Sequence, residues 1–448
     1  MAKIGAVLGA VAVSVVLAGC EKEVILSGQR FDTRTPLDQV QAAGEGATVA
    51  DRAGTQNRAL AFSAGAMTRN AEWSHRGGSA TRAMPHLALS AQPQLIWSAS
   101  VGAGADRRHR LSAAPVVAAG RVFTIDSRNR LTATSATNGG VLYSVDLAPA
   151  GENADAANGG GLAFAEGRLF VTTGFGELLA VDPASGGVLW RQRFDAPVSG
   201  APVAQGGTVY VTGRDAAAWA VRAADGRVLW AQAGLRRGTG ILGGVSPALS
   251  GNQVIMPGSS GQISAIDRNR GEITWQAQLA GQRSGSAVSF LREITGDPVV
   301  SGGRIYAGSS SGRTVALDAA GGQMIWEARE GSMNAVWPAG GSVFLVSDQG
   351  NLLRLNAASG EVIWSVPMGH YTTSPARKQL AVYSHFGPVL AGGRLVVASS
   401  DGLLRFFAPE SGTLVQTLAI GDAAAAPPAV ANGTIYVLTA KGQLRAFR

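Results

Sequence analysis

Seven times along this chain a glycine is followed four residues later by a position that is aromatic in six of the copies. The copies are Gly139 to Tyr143, Gly186 to Trp190, Gly226 to Trp230, Gly271 to Trp275, Gly322 to Trp326, Gly360 to Trp364 and Gly412 to Gln416. Three of them extend upstream as Ala-x-Asp-x-x-x-Gly-x-x-x-Trp, starting at Ala180, Ala265 and Ala316. The physical reading is a strand, a turn and a second strand. Asp182, Asp267 and Asp318 end one strand and open the turn through a side-chain oxygen. The glycine takes the positive-φ position, and the residues after it alternate as a strand requires. One such unit cannot bury its apolar face alone, so the copies must stack on one another.

Upstream of each unit lies a short apolar strand, usually opened by proline. It is read at Pro115-Val116-Val117, Gly161-Leu162-Ala163, Pro202-Val203-Ala204, Pro247-Ala248-Leu249, Pro298-Val299-Val300, Trp337-Pro338, Pro388-Val389-Leu390 and Pro428-Ala429-Val430. These eight copies predict an all-β fold, a single eight-bladed β-propeller of four-stranded antiparallel blades, with seven blades as the alternative count. The last copy stops at Gln443–Phe447 without an outer strand, and a spare strand, 93–99, stands before the first copy. Pairing the two closes the ring and removes an exposed sheet edge. The 376 residues from Trp73 to Arg448 allow 47 per blade, within the roughly 40–50 that a four-stranded blade needs. Sixty-one glycines and only 15% charged residues suit short strands joined by tight turns.

The first 19 residues read as an export signal: a short positive start, then an apolar run from Ile4 to Val16 that is too short to span a bilayer. Leu17-Ala18-Gly19-Cys20 resembles a bacterial lipobox, which implies cleavage before Cys20 and acylation of its thiol. Cys20 is the only cysteine, so it has no internal disulfide partner. A diacylglycerol plus an N-acyl chain anchors stably. Glu21 is not the aspartate that retains lipoproteins in the inner membrane, which favours the outer membrane. Residues 20–72 are poor in bulky apolar side chains and are expected as a flexible, lipidated tether, with the propeller over 73–448. The net charge of +8 is read as a soluble surface, because no basic stripe interleaves with aromatics and the signal takes the chain away from nucleic acid.

The sequence offers no catalytic residue, metal site or cofactor motif. The five histidines stand apart from one another and from cysteine, without zinc spacing. The glycine-serine turns lack a P-loop lysine. The repeated aspartates are turn makers, and the repeated tryptophans are expected to pack between blades. Two stretches break the repeat: Gly234–Gly243 and Gly281–Ile294. Both mix apolar residues with arginine, both precede consecutive inner strands, and both are expected on one face, side by side. Insertions of this kind on a propeller carry binding.

The Ala-x-Asp-x-x-x-Gly-x-x-x-Trp units resemble the tryptophan-docking repeats of pyrroloquinoline-quinone-type propellers. With Leu17–Cys20 and one eight-bladed ring, the chain from Cys20 onward resembles the BamB family of outer-membrane assembly lipoproteins. The resemblance implies a non-enzymatic periplasmic scaffold of the β-barrel assembly machinery. It would bind the periplasmic domains of BamA and other assembly lipoproteins, without cofactor, nucleic acid or small-molecule substrate. It also implies a contact surface at an Arg-Gly loop after the third repeat and an acidic segment before a Pro-Val strand. These fall on Leu235, Arg236, Arg237 and Gly238, and on Arg292 and Glu293; a second acidic position falls near Thr295. Two other readings use the same ring. A quinone-dependent dehydrogenase would need a catalytic carboxylate and usually calcium, and the vicinal disulfide many such enzymes use is impossible with one cysteine. An unrelated periplasmic adaptor is the third.

Overall fold

The strands of the repeat assemble into eight four-stranded sheets, each running from an inner first strand to an outer fourth strand. The computed structural model describes residues 57–198, 200–234, 244–258, 261–279, 281 and 293–448. Blades 1 to 7 are continuous in sequence, covering 116–146, 160–193, 203–232, 248–278, 294–328, 337–367 and 385–419. Blade 8 takes three strands from 429–447 and its outer strand, Leu95–Ser100, from the other end of the propeller. Trp97, Ser98, Ala99 and Ser100 pair with Ala446, Arg445, Leu444 and Gln443. The closure expected from 93–99 is therefore the closure observed.

The Gly-x-x-x-Trp spacing is a lock between neighbouring blades. A Cβ on Gly226 would sit 2.8 Å from the Trp190 ring of the preceding blade, and one on Gly322 would sit 2.3 Å from Trp275. Both glycines also have φ near +75° (+78° and +73°), so the position demands glycine twice over, for the turn and for the ring it receives. Trp190 Nε1 completes the lock by donating to the Ala223 carbonyl of the next blade at 3.0 Å. At the closure, Trp97 lies against Gly139 of blade 1 in the same way. The one copy without an aromatic, Gln416, belongs to blade 7. Its neighbour, blade 8, borrows its outer strand, so no turn glycine waits there to receive a ring. The aspartates act as expected: Asp182 Oδ1 accepts from the Ala184 N–H at 2.7 Å, and Asp267 Oδ1 from Asn269 and Arg270.

Residues 57–92 belong to none of the eight sheets. Of the stretch expected as tether, residues up to 56 lie outside the described residues, and 57–72 lie along the ring. Residues 70–88 then run around the inner strands. Asn70 bonds to Val430 of blade 8, and Trp73 exchanges backbone hydrogen bonds of 2.8 and 2.9 Å with Val117 of blade 1. Ser74 accepts from Phe164 of blade 2, Ala80 from Leu249 of blade 4 and Thr81 from Val300 of blade 5. Leu87 bonds to Leu390 and Gly392 of blade 7. The circuit closes where Thr68 meets His86 and Ala88. An inner strand with no such partner would leave backbone groups facing the axis. The circuit pairs such groups on blades 1, 2, 4, 5 and 7 and forms a plug along the inner strands.

Candidate functional site

The plug is built around charge. Asp297 lies within the inner strand of blade 5, Ile294–Ser301, and is 2% exposed. One carboxylate oxygen lies 2.8 Å from Arg76 Nε and 3.9 Å from Arg82 Nε, and the other accepts from the Ser246 N–H at 2.8 Å. Burial pushes the Arg82 guanidinium down to about 10, against the pull of Asp297. His75 is held neutral: burial, helped by Arg82, lowers its pKa to about 4. Its Nε2 lies 3.2 Å from both the carbonyl and the N–H of Ala204 in blade 3. The turn that carries these residues needs glycine. A Cβ on Gly78, at φ +100°, would lie 2.6 Å from Met84 Cγ.

Next to the plug lies a cavity of about 980 Å³, and Arg76 is the plug residue that lines it. Its wall is made by the segments leading into the inner strands and by the turns between second and third strands. Arg108, His109 and Arg110 contribute ahead of blade 1, Asp155 ahead of blade 2, and Arg214 from within blade 3. Met333, Asn334, Phe386 and Pro427 form the opposite side. Arg108, Arg110 and Arg214 are exposed. His109 is fixed by its Nδ1, 2.9 Å from Asp106 Oδ2, and this hydrogen bond raises its pKa.

The two insertions meet at this mouth. Gly244 and Val245, where the first ends, and Glu293, where the second ends, line the same cavity. The expected placement on one face holds for these stems. Of the predicted contact residues, Glu293 is described at the rim, one residue before the strand Ile294–Ser301. Leu235, Arg236, Arg237, Gly238, Arg292 and the lipidation residue Cys20 lie outside the described residues. Sequence reasoning missed the plug, with its Arg76, Arg82 and Asp297. One signal was available: Trp73 has no glycine four residues before it but is followed by Gly77-Gly78, so it stands outside the repeat.

Interlocked glycine and tryptophan, eight blades and a plug along the inner strands define a propeller of the pyrroloquinoline-quinone-repeat class. Within that class the chain belongs to the BamB family: the family model described as outer membrane protein assembly factor BamB matches residues 127–366 and 372–448. The chain is similar to outer membrane protein assembly factor BamB of Shewanella oneidensis, 25% identical over 360 residues, which cover 79% of this chain and 88% of that protein. It is similar to the protein of the same name from Moranella endobia, 24% identical over 66% of this chain and 73% of the relative. Among solved structures, BamB from Moraxella catarrhalis superposes with a TM-score of 0.65 at 19% identity, covering 80% of this chain and all of that one. Quinohemoprotein alcohol dehydrogenase from Comamonas testosteroni gives the same TM-score at 16% identity, covering 85% of this chain and 81% of its own. At such identities the superpositions speak for the fold alone.

Proposed function

We propose that the chain is a non-enzymatic scaffold of the β-barrel assembly machinery that helps to fold and insert outer-membrane barrels by binding BamA. It is anchored through acylated Cys20 to the periplasmic face of the outer membrane. Membership of the BamB family is the observation that carries this reading. The geometry supports it in a second way. A ring closed at both ends of the chain is a rigid mount, and it brings the stems of two arginine-bearing loops to one rim. Leu235, Arg236, Arg237 and Gly238 on one loop, with Arg292 and Glu293 on the other, are the contact residues of this proposal. An arginine with apolar neighbours is a suitable interface anchor.

The dehydrogenase reading fits the axis less well. A calcium-bound quinone calls for converging carboxylates. Among the described residues no group of three or more His, Cys, Asp or Glu could hold a metal ion, and the guanidinium of Arg76 is already engaged by Asp297.

The test is copurification. Tagged full-length lipoprotein, solubilised from its native envelope in mild detergent, is expected to bring down BamA and other assembly lipoproteins. In the same experiment Cys20→Ser is expected to leave the membrane fraction or remain unprocessed. A wild-type propeller that elutes without partners overturns the scaffold reading, and a Cys20→Ser chain that fractionates like wild type overturns the anchor.

A further inference from the structure

The outer strand of a blade presents two residues immediately before its tryptophan position, both apolar except for Thr274 in blade 4. In seven blades apolar residues of this pair lie open to solvent. Leu142, Leu189 and Leu229 are 51, 52 and 45% exposed, and Ile273, Ile325, Val415 and Ile96 are 46, 42, 52 and 42% exposed. Blade 6 is the exception, where Ile363 is 4% exposed. It is covered by the chain's own residues 57–62. Arg58 N donates to the Ile363 carbonyl at 3.0 Å. The Asn57 carboxamide accepts from Ser365 N at 2.8 Å and donates to Ser365 O at 3.0 Å. It stands in for the peptide group of an added strand.

The repeat changes at this same blade. The third-strand residue that pairs with the tryptophan position is alanine in six blades: Ala133, Ala180, Ala220, Ala265, Ala316 and Ala446. In blade 6 it is Arg354, opposite Trp364. Its side chain is buried and passes into the crevice between blades 6 and 7. There Nη1 donates to the Leu60 carbonyl at 2.7 Å and Nη2 to the Ala61 carbonyl at 3.1 Å. Nε is held by Ser342 Oγ at 2.9 Å, and Nη1 also reaches the Pro409 and Glu410 carbonyls of blade 7. The guanidinium carbon lies 5.4 Å from the Phe62 ring, which packs edge-on against Phe344 with centroids 5.3 Å apart. A buried cation facing two consecutive carbonyls, beside an aromatic slot and an open strand edge, is what an extended peptide needs for recognition.

We propose that the crevice at the outer edge of blades 6 and 7 is a peptide-binding site whose resident ligand is the chain's own segment 57–62, selected by Arg354. The segment binds as an extended strand with Asn57 on the blade edge, two carbonyls on the guanidinium and Phe62 in the slot. It is held far more lightly than the plug. Residues 57–61 are exposed and make two backbone hydrogen bonds, from Arg58 and Leu60, whereas Trp73 and Leu87 are 2 and 0% exposed. Elements with few buried contacts open first. Release of 57–67 with the plug in place lengthens the tether by roughly 40 Å, at about 3.5 Å per residue.

Amide hydrogen exchange on the full-length lipoprotein tests this. Arg354→Ala is expected to speed exchange at Arg58 and Leu60 at least tenfold while Trp73 and Leu87 keep their protection. Asn57→Ala, an exposed change that cannot unfold the ring, is expected to act in the same direction by a few fold. Unchanged exchange at Arg58 and Leu60 in both variants overturns the site. So does exchange in which strap and plug open together in the wild-type chain, since the strap would then have no equilibrium of its own.

Discussion

An Asp297→Asn variant is expected to lose about 3–5 kcal/mol of stability, the cost of leaving a buried charge without its partner. The substitution keeps the shape and keeps an oxygen for the Ser246 N–H. What it removes is the carboxylate charge paired with Arg76 and Arg82. Arg82 is 3% exposed, and burial already lowers its pKa to about 10 even with the carboxylate present. Without Asp297 the plug must expose Arg82 to water or hold it charged and unpaired. Urea unfolding followed by tryptophan fluorescence reads the loss as a lower midpoint. Adding Arg82→Met to Asp297→Asn is expected to recover part of it, because the uncompensated cation is then gone. A midpoint unchanged in the single variant would mean that the plug does not depend on this ion cluster.

The second large effect concerns closure. Val101 N donates to Gly442 O at 2.9 Å, and bonded pairs recur every second residue in an antiparallel ladder. The Ala99 N–H therefore faces Leu444, its register partner. Ala99→Pro removes that donor, orphans a carbonyl and forces a ring into the ladder. It is expected to cost roughly 2–4 kcal/mol. Proline is tolerated on an edge strand only where the lost N–H points to solvent, and here it points inward. Hydrogen exchange is expected to rise first in 429–447 and then at Trp97 and its dock on Gly139. Exchange that stays at wild-type values across blade 8 would contradict closure by this strand.

The ring was legible in the sequence because its rules are local. A glycine, a tryptophan four residues on and an aspartate four before the glycine are bound by one turn and one strand. The missing aromatic at Gln416 and the orphan strand at 93–99 are two faces of one fact, the borrowed outer strand of blade 8. The plug was not legible in the same way. It has no period, and its partners lie from tens to more than 300 residues away, as with Asn70 and Val430. Pairing of that kind leaves no spacing to read. Arg354 lies between the two cases. Its replacement of the repeat alanine was visible, but what it reaches, Leu60 and Ala61, could be seen only once blades 6 and 7 were side by side. For the candidate contact surface, the repeat identified the loops as insertions and put their stems on one face. The side chains that would recognise a partner follow no repeat.

The scaffold account stands or falls on one binding measurement. The purified full-length protein is titrated with the periplasmic domains of BamA, alongside a variant carrying Arg237→Glu and Glu293→Lys. Saturable binding by the wild-type chain is expected, weakened on the order of 100-fold by the double charge reversal, as for the loss of an interface anchor, with the variant's unfolding midpoint unchanged. Equal affinity for both chains would contradict the two-loop surface. No binding by the wild-type chain would contradict the scaffold itself.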